Sequence, residues 1–303
     1  MPLTRRRLLE LAAATPVAFA AERLQATTLT LGSGQIDTLS DGHLVLPREF
    51  VLGALPEAEA EQILIAHGVT GDMVMPPCNL TLWQDGSRKV LFDAGSGAGF
   101  MPTAGKLAEA LDAIGVGTDE ITHVVFTHAH PDHLWGVLDE FDDPVFANAS
   151  YMIGQAEWDY WTDPDTVESI GTARAAFAVG AARRLTEIEA RIDFIQAGQE
   201  VLPGILAHDS PGHTPGHMAF EIRQGSQAVM VVGDAIGNGH LALARPGWPS
   251  GADQDPETAI ATRTRLLDML ATDHMAMVGF HLPEGGLGHV ERHDGAYRFV
   301  PEV

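Results

Sequence analysis

The most constraining feature of this sequence is a short segment in which three imidazoles and a carboxylate directly follow an apolar run. The run covers residues 123–126 and has the composition of a buried strand. The polar side chains that follow it are His128, His130, Asp132 and His133. Imidazole and carboxylate are both ligands of borderline divalent metals such as zinc, so this pattern predicts a metal site at the end of a strand.

The spacing of these four residues favours a metal site over a solvated surface loop. His128 and His130 are separated by one residue, so both side chains can leave an extended segment on the same side. Asp132 and His133 follow where the chain turns, so a second metal can take this pair. A surface loop rich in histidine is the alternative, but solvated histidines need no fixed spacing and rarely follow a buried strand.

Length, charge and cysteine content set the outer limits. A chain of 303 residues with 45% hydrophobic side chains can bury a substantial core, and no linker or repeat follows residue 30, so we expect one compact unit. The 41 acidic and 18 basic side chains give a formal charge of -23, which repels nucleic acids and anionic membranes. A small-molecule substrate is the expected partner. Cys78 is the single cysteine, which we expect to be a small buried hydrophobe.

The first 21 residues differ in composition from the rest of the chain. Arginines at positions 5–7 precede an apolar, alanine-rich run over residues 11–21 that ends in small residues suited to a signal peptidase. This segment resembles a twin-arginine export signal, with an amphipathic first helix as the alternative. We expect residues 1–21 to be the signal and residues 22–303 to form the functional domain. The protein would then be periplasmic or secreted, without a stable membrane anchor after export.

Short apolar runs alternate with turn signals and amphipathic stretches along the rest of the chain. The patterns predict strands at residues 38–42, 79–83, 89–93, 124–127, 219–222 and 228–232. They predict helices near residues 107–114, 166–192 and 256–270. We expect the helix over residues 166–192 to be a solvent-facing cover. Strands that feed helices in both halves indicate a layered α/β protein whose site lies along one edge of its sheets.

Three more polar residues follow predicted strands or apolar runs beside glycine, and they complete a known pattern. They are His213, Asp234 and His281. Each signal is weak alone, because a histidine or aspartate at a strand end is often a cap. Taken in their order along the chain, however, these residues and the histidine-rich segment resemble the pattern of the metallo-β-lactamase superfamily. That pattern is HxHxDH, a histidine in a GHTxGH-like turn, an aspartate after a strand, and a late histidine. The resemblance implies an αββα four-layer sandwich that holds two divalent metals, with zinc expected, between its sheets.

The resemblance also implies a role for each matching residue. The first metal would be held by His128, His130 and His213, and the second by Asp132, His133 and His281. Asp234 would bridge the two metals. His217, the second histidine of the turn motif, would be structural rather than a ligand.

Residues outside the ligand pattern are similar to one branch of the superfamily. Residues 39–42, Trp248-Pro249 and residues 279–281 resemble the methyl parathion hydrolase branch. Asp234 stands where many true β-lactamases have cysteine, which argues against that activity. The acyl-homoserine lactonases commonly carry a tyrosine three residues after the bridging aspartate, and here that position is Gly237.

The implied activity is that of a binuclear metal-dependent hydrolase. A hydroxide between the metals would attack an ester-like substrate, with Asp132 and Asp234 as catalytic residues that hold the metals and orient the nucleophile. No acid for the leaving group is evident, so we expect aryl esters, lactones or organophosphate triesters as substrates. Alternatives are a β-lactamase or acyl-homoserine lactonase activity, an iron-dependent oxidative enzyme like the persulfide dioxygenases, and a metal-binding protein without catalysis. A homodimer is a further expectation.

Aromatic residues near the motifs are candidates for substrate contacts. Trp135 lies two residues after His133, and Phe280 lies one residue before His281, so these two are predicted first. Further candidates are Phe100, Trp248, Trp158 and Trp161. Core packing is the alternative role for each of them.

Overall fold

Two seven-stranded mixed sheets dominate the computed structural model, which describes residues 27–53 and 55–302. The sheets pack face to face, and helices cover both outer faces, so the predicted α/β fold of αββα type is confirmed. The predicted export signal at residues 1–21 lies outside the described residues. Within the described part of the chain, no helix combines the length and apolar character needed to cross a membrane.

The first sheet has the strand order β1-β2-β5-β6-β7-β8-β9. Its strands are β1 (Thr27–Leu31), β2 (Gly34–His43), β5 (Pro77–Asp85), β6 (Arg88–Phe92), β7 (His123–Val125), β8 (Ser150–Gly154) and β9 (Ile192–Ile195). The strands from β6 to β9 pair in parallel, and β5 and β6 form the hairpin that the sequence predicts. A small antiparallel ribbon, β3 (Leu46–Pro47) with β4 (Met73–Val74), stands apart from it.

The second sheet has the strand order β10-β11-β12-β13-β14-β15-β16. Its strands are β10 (Glu200–Leu202), β11 (Ile205–Asp209), β12 (Met218–Gln224), β13 (Gln227–Val231), β14 (Ala276–Val278), β15 (Leu287–His293) and β16 (Ala296–Pro301). Only β13 and β14 pair in parallel among these strands. Because their carboxyl ends meet at one edge, residues that follow them can share a site.

The helices are α1 (Arg48–Leu52), α2 (Glu57–Ala66), α3 (Leu107–Ala113), α4 (Pro131–Leu134), α5 (Gln155–Thr162), α6 (Thr166–Ser169), α7 (Ala175–Ile188), α8 (Gly239–Ala244) and α9 (Pro256–Asp273). Helix α9 starts where the sequence predicts, with Asp255 as its N-cap: the Asp255 side chain accepts a hydrogen bond from the Thr258 backbone.

The core lies in three layers. Between the sheets, Phe92 and Val125 of the first sheet pack with Phe220 and Val229 of the second. The outer face of the first sheet packs against α3 and α7. The outer face of the second sheet packs against α9. Burial of apolar side chains on both faces of each sheet explains why the central strands read as continuous apolar runs.

The predicted helix over residues 166–192 differs from the structure. It is two helices, α6 and α7, separated at residues 170–174, where Gly171 has a positive φ of 90°. Residues from 192 onward form β9. Helix α7 covers the first sheet as predicted: Ala178, Ala181 and Leu185 are fully buried against the sheet, and Val179 on the opposite face is exposed. The alanine-rich composition hid the break between α6 and α7, since small side chains give a weak periodic signal.

Substitutions on the two faces of α7 test which face packs against the first sheet. Leu185 is 0% exposed and Val179 on the same helix is 55% exposed. We expect Leu185→Ala to lower the free energy of unfolding by about 2–5 kcal/mol, because it leaves a cavity in the core. Val179→Ala should change it by less than about 0.5 kcal/mol. Urea unfolding followed by circular dichroism measures both values, and equal effects would contradict the assignment.

Candidate metal centre

The histidine-rich segment leaves the end of β7 and enters a short helix. His128 and His130 lie in the connection, and Pro131 occupies the first turn of α4. Proline suits this position because it has no backbone N–H to satisfy there. The Asp132 and His133 side chains therefore project from the first turn of α4, and both are buried.

The first cluster consists of His128, His130 and His213. The distance from His130 Nδ1 is 3.1 Å to His128 Nε2 and 2.9 Å to His213 Nε2. His213 arrives from the turn between β11 and β12. Asp234, which follows β13, places Oδ2 3.3 Å from His213 Nε2. The sequence-predicted ligands of the first metal are therefore brought together, with the predicted bridging carboxylate beside them.

The second cluster consists of Asp132, His133 and His281. Asp132 Oδ2 lies 3.3 Å from His281 Nε2 and 3.6 Å from His133 Nε2. Asp234 contacts this cluster as well, because Oδ1 lies 3.4 Å from His133 Nε2 and Oδ2 lies 3.4 Å from His281 Nε2. One carboxylate thus faces both clusters, as the bridging role requires.

The donor atoms in these clusters fit a bound cation. His133 Nε2 and Asp234 Oδ1 are buried without any hydrogen-bond partner in the described part of the chain. Buried polar atoms are normally satisfied, so orphaned atoms aimed at one point indicate a group that belongs between them. Nitrogen and carboxylate oxygen in this number suit zinc and related divalent metals.

The electrostatics of His128 and Asp234 agree with this fit. Burial lowers the pKa of His128 well below its usual value, so this imidazole is neutral, as a metal ligand must be. Burial alone would raise the pKa of Asp234. The imidazoles of His281, His133 and His213 outweigh that effect and hold the carboxyl pKa well below its usual range. Asp234 is therefore an anion among nitrogen donors.

Asp93 orients the histidine-rich segment from behind. Its Oδ1 accepts a hydrogen bond from the Thr127 backbone at 2.7 Å, and its Oδ2 accepts one from the Thr127 hydroxyl at 2.8 Å. The same Oδ2 lies 2.7 Å from His133 Nδ1. This contact fixes the ring so that Nε2 faces the second cluster. The sequence alone did not indicate this role, although Asp93 ends a predicted strand and Asp234 follows one in the same way.

Glu157, a fully buried residue of α5, joins the two loops that supply the first cluster. Oε1 accepts hydrogen bonds from Ala129 N at 2.9 Å and from the Trp161 indole at 2.6 Å. Oε2 accepts them from the Thr214 hydroxyl at 2.8 Å and from Gly216 N at 3.0 Å. Burial raises the pKa of this carboxyl, while its four donors lower it. No local sequence signal indicates Glu157.

The remaining histidine of the turn motif, His217, lies outside both clusters. Its Nδ1 lies 2.8 Å from the Ser210 hydroxyl, and its Nε2 accepts a hydrogen bond from Asp234 N at 3.0 Å. Burial lowers the pKa of His217 to about 3, so the ring stays neutral and can accept this bond. Its position agrees with the structural role that the resemblance implies.

A pocket opens above the clusters, and its floor includes His130, Asp132, Asp234 and His281. Much of its apolar wall comes from a cover segment, which we define as residues 44–53 and 55–76, containing β3, α1, α2 and β4. The cover segment contributes Leu44, Leu46, Phe50, Val51, Leu55, Val74 and Pro76. Phe100, Phe177, Leu241 and Trp248 add large apolar side chains to the lining from other parts of the chain. Other polar side chains also line the pocket, namely Arg174, His213, Asn238, Arg245, Ser250, Asp253 and Arg263.

The predicted substrate contacts divide into two groups. Phe100 and Trp248 line the pocket. Trp135 and Phe280, the two first choices, do not. Trp135 packs against Phe100 at 5.6 Å between ring centroids and lies under the Arg184 guanidinium. Phe280 lies against the His133 ring at 3.8 Å between centroids and is buried in the core. Although these two rings are close to ligands in sequence, they lie on the side of the ligands that faces away from the pocket.

The other two tryptophan candidates also lie outside the pocket lining. Trp161 is buried and donates to Glu157, and Trp158 packs against Phe194 at 5.3 Å between ring centroids. Cys78 is buried, as expected, and burial raises the pKa of its thiol to about 12. It is also close to the second cluster, since donor atoms of Cys78, Asp132 and His281 all lie within 4.8 Å of one another.

Comparison with known proteins identifies the family. A family model described as the metallo-beta-lactamase superfamily matches residues 75–281. The chain belongs to this superfamily. It is 28% identical over 203 residues to the Bacillus subtilis protein YobT, covering 63% of this chain and 78% of YobT. It is 24% identical over 213 residues to a probable metallo-hydrolase of Mycobacterium bovis, covering 61% of this chain and 66% of that protein.

Solved structures agree with the fold. The chain is 25% identical to AidC, a dizinc quorum-quenching lactonase, with a TM-score of 0.87 over 92% of this chain and 97% of AidC. A hydrolase named AbOPH has the same fold, with a TM-score of 0.85 at 24% identity over 92% of this chain and 97% of AbOPH. Membership and the donor clusters together make the chain a metal-dependent hydrolase of this superfamily. Its likeness to the methyl parathion hydrolase branch stays a prediction.

Gly233, which directly precedes Asp234, provides a test of how tightly the centre is packed. It has a φ of 51°, and a Cβ there would lie 2.7 Å from His217 Nε2 and 2.9 Å from Thr127 Cβ. We expect Gly233→Ala to lower the free energy of unfolding by about 2–4 kcal/mol through backbone strain and overpacking.

Gly237→Ala is the matched control for this substitution. The nearest atom to a Cβ at Gly237 is Asp234 O at 3.7 Å, an ordinary contact, and its φ is outside the left-handed region. We expect a change below about 0.5 kcal/mol. Thermal and urea unfolding of both variants give the comparison, and a Gly233→Ala protein as stable as Gly237→Ala would refute the tight packing.

Proposed function

We propose that this protein is a binuclear metal-dependent hydrolase of uncharged, ester-like substrates that carry an apolar group. Lactones and aryl esters are the first candidates, and organophosphate triesters are the third class. The observation that carries the proposal is the position of the two donor clusters on the floor of a largely apolar pocket. Such a pocket binds an apolar substituent and brings a reacting ester group to the clusters.

The chain's own residues have defined tasks in this reaction. Bound divalent ions would supply Lewis acidity and lower the pKa of water. We assign Asp132 and Asp234 as catalytic residues that hold the ions and accept hydrogen bonds from the attacking water. Asp234 suits this task because its two oxygens face both clusters at 3.3–3.4 Å from ring nitrogens. Asp93 and His217 keep the surrounding groups in place.

The composition of the pocket supports substrates with good leaving groups. Among the described residues that line it, there is no tyrosine, lysine, cysteine or glutamate to protonate a leaving oxygen. Gly237 lines the pocket at the position where many acyl-homoserine lactonases carry a tyrosine. A phenolate or enolate leaves without such an acid, whereas a lactone alkoxide would take its proton from water.

Similarity to AidC supports the lactone class. AidC is named as a dizinc lactonase and was solved with an N-acyl homoserine product. The apolar wall formed by the cover segment, Phe100 and Trp248 is suited to the acyl chain of such a molecule. The alternative of an iron-dependent oxidative enzyme predicts instead that activity follows iron.

Metal removal and reconstitution test the proposed activity. Metal-free full-length protein should hydrolyse none of a panel of acyl lactones, nitrophenyl esters and phosphotriesters. Zinc at two equivalents should restore turnover of at least one class, measured by chromatography and phenolate absorbance. Asp234→Ala should abolish that turnover while circular dichroism shows a retained fold. Activity that returns only with iron and consumes oxygen, or hydrolysis of amides alone, would reject the proposal.

A substitution at Trp248 tests the apolar wall. Trp248 lines the pocket, and Trp158 lies outside it. For substrates with a six-carbon or longer acyl group, we expect Trp248→Phe to change kcat/KM little and Trp248→Ala to lower it roughly tenfold, since apolar contact area is lost. Acetyl substrates should lose less, because they do not reach the wall. Trp158→Ala serves as the control, and an equal loss for acetyl and long acyl groups would contradict this assignment.

A further inference from the structure

Residues 246–252 form one wall of the pocket and carry Trp248, and two arginines hold this segment. We call it the wall loop. Arg263 of α9 donates through Nη1 to Trp248 O at 2.8 Å and to Pro246 O at 3.4 Å. Arg174 donates through Nη2 to Gly251 O at 2.7 Å and to Ala252 O at 3.0 Å. The wall loop thus depends on side chains from two helical regions for its shape.

The guanidinium of Arg263 also reaches toward the first cluster. Its Nη2 lies 2.9 Å from Asp253 Oδ2, and the other oxygen of Asp253 lies 3.1 Å from His213 Nδ1. The Arg263 and Asp253 side chains are each 4% exposed, and that of His213 is 3% exposed. A continuous chain of buried polar contacts therefore runs from Trp248 O through Arg263 and Asp253 to His213.

The backbone reinforces this chain. Gln254 N donates to His213 O and to Gly212 O at 3.1 Å each, and Asp255 N donates to Gly212 O at 2.9 Å. The residues after the wall loop are therefore fastened to the turn that carries His213. A displacement of either segment must break contacts to the other.

We propose that Asp253 and Arg263 are positioning residues that couple cation binding at the first cluster to the order of the wall loop. The inference rests on the proposed function, because it takes His213 as a metal ligand. Asp253 accepts the Nδ1 proton of His213 and so directs Nε2 toward His130 and Asp234. Arg263 neutralises Asp253 and holds the wall loop with the same guanidinium. Coupling of this kind is reciprocal, so a bound cation orders the wall and an ordered wall favours the cation.

The two positioning residues act at opposite ends of the chain of contacts, so their substitutions have different signatures. Asp253→Asn removes the charge that holds His213, and we expect zinc to bind the first cluster about 10–100-fold more weakly. Arg263→Lys keeps a positive charge beside Asp253 but loses the planar fork that serves the carboxylate and the wall-loop carbonyls together. It should loosen the wall loop with a smaller loss of zinc affinity.

Surface residues of α9 provide matched controls. Asp268 pairs with Arg292, and the side chains of this pair are more than half exposed. Arg265 is two residues from Arg263 and donates to Asp209 O at 2.7 Å in an exposed contact. Asp268→Asn and Arg265→Lys repeat the chemical changes at exposed contacts that involve none of the predicted ligands. Neither should change zinc affinity or wall-loop order.

The experiment measures zinc binding and wall-loop exchange on the full-length protein. Zinc affinity and stoichiometry come from competition with a chromophoric chelator. Hydrogen–deuterium exchange of peptides spanning residues 246–252 is followed with and without zinc. In the unsubstituted protein, zinc should slow exchange in the wall loop, and in D253N this effect should disappear. If D253N does not fold, the double variant D253N/R263M removes both buried charges and should show the same weakened zinc binding.

The outcomes separate this inference from the proposed function. Weak zinc binding in D253N with unchanged binding in D268N supports the coupling. Two tightly bound zinc ions in D253N, or wall-loop exchange indifferent to zinc in the unsubstituted protein, overturns the coupling and leaves the proposed hydrolase intact. Failure of the unsubstituted protein to bind zinc or any other divalent ion overturns both.

Discussion

Three buried carboxylates determine the geometry of the candidate centre, because each ties a ligand-bearing segment to a different part of the fold. Asp93 fixes the segment after β7, Glu157 joins that segment to the turn before β12, and Asp253 supports His213 from the opposite side. Burial of a carboxylate is costly unless several donors face it, so each position is narrowly defined. These contacts hold the donor atoms close together, which reduces the entropy lost when a cation binds.

Much of the fold and the donor set could be predicted from sequence. The residues from His128 to His133 lie close together in the chain, so their shared chemistry is visible without any tertiary information. His213, Asp234 and His281 are separated by long stretches, and only their order within a family pattern singled them out. The strands were predictable because burial on both faces produces continuous apolar runs. The break between α6 and α7 was missed, because the alanine-rich composition gives a weak periodic signal.

What could not be predicted depends on contacts between distant segments. Glu157 and Asp253 look like ordinary acidic residues in sequence, and only the folded chain surrounds each with donors. The substrate side of the centre was also hidden. Trp135 follows His133 by two residues in helical backbone and Phe280 directly precedes His281, so each leaves the chain in a different direction from the ligand and turns away from the pocket. Phe100 and Trp248 reach the pocket from remote segments. A ring that is close in sequence to a ligating residue therefore need not face the substrate pocket.

The cover segment shapes the pocket, yet none of the seven predicted ligands lies in it. It has its own small apolar cluster around Leu52, Ala60 and Leu64, which meets the rest of the protein at Leu241. Much of the apolar pocket wall is therefore encoded by a stretch of the gene that holds no predicted ligand. Substitutions in the cover segment change the pocket wall at positions that carry none of the predicted ligands. Exchange of this segment would reshape the pocket wall while leaving the seven predicted ligands in place.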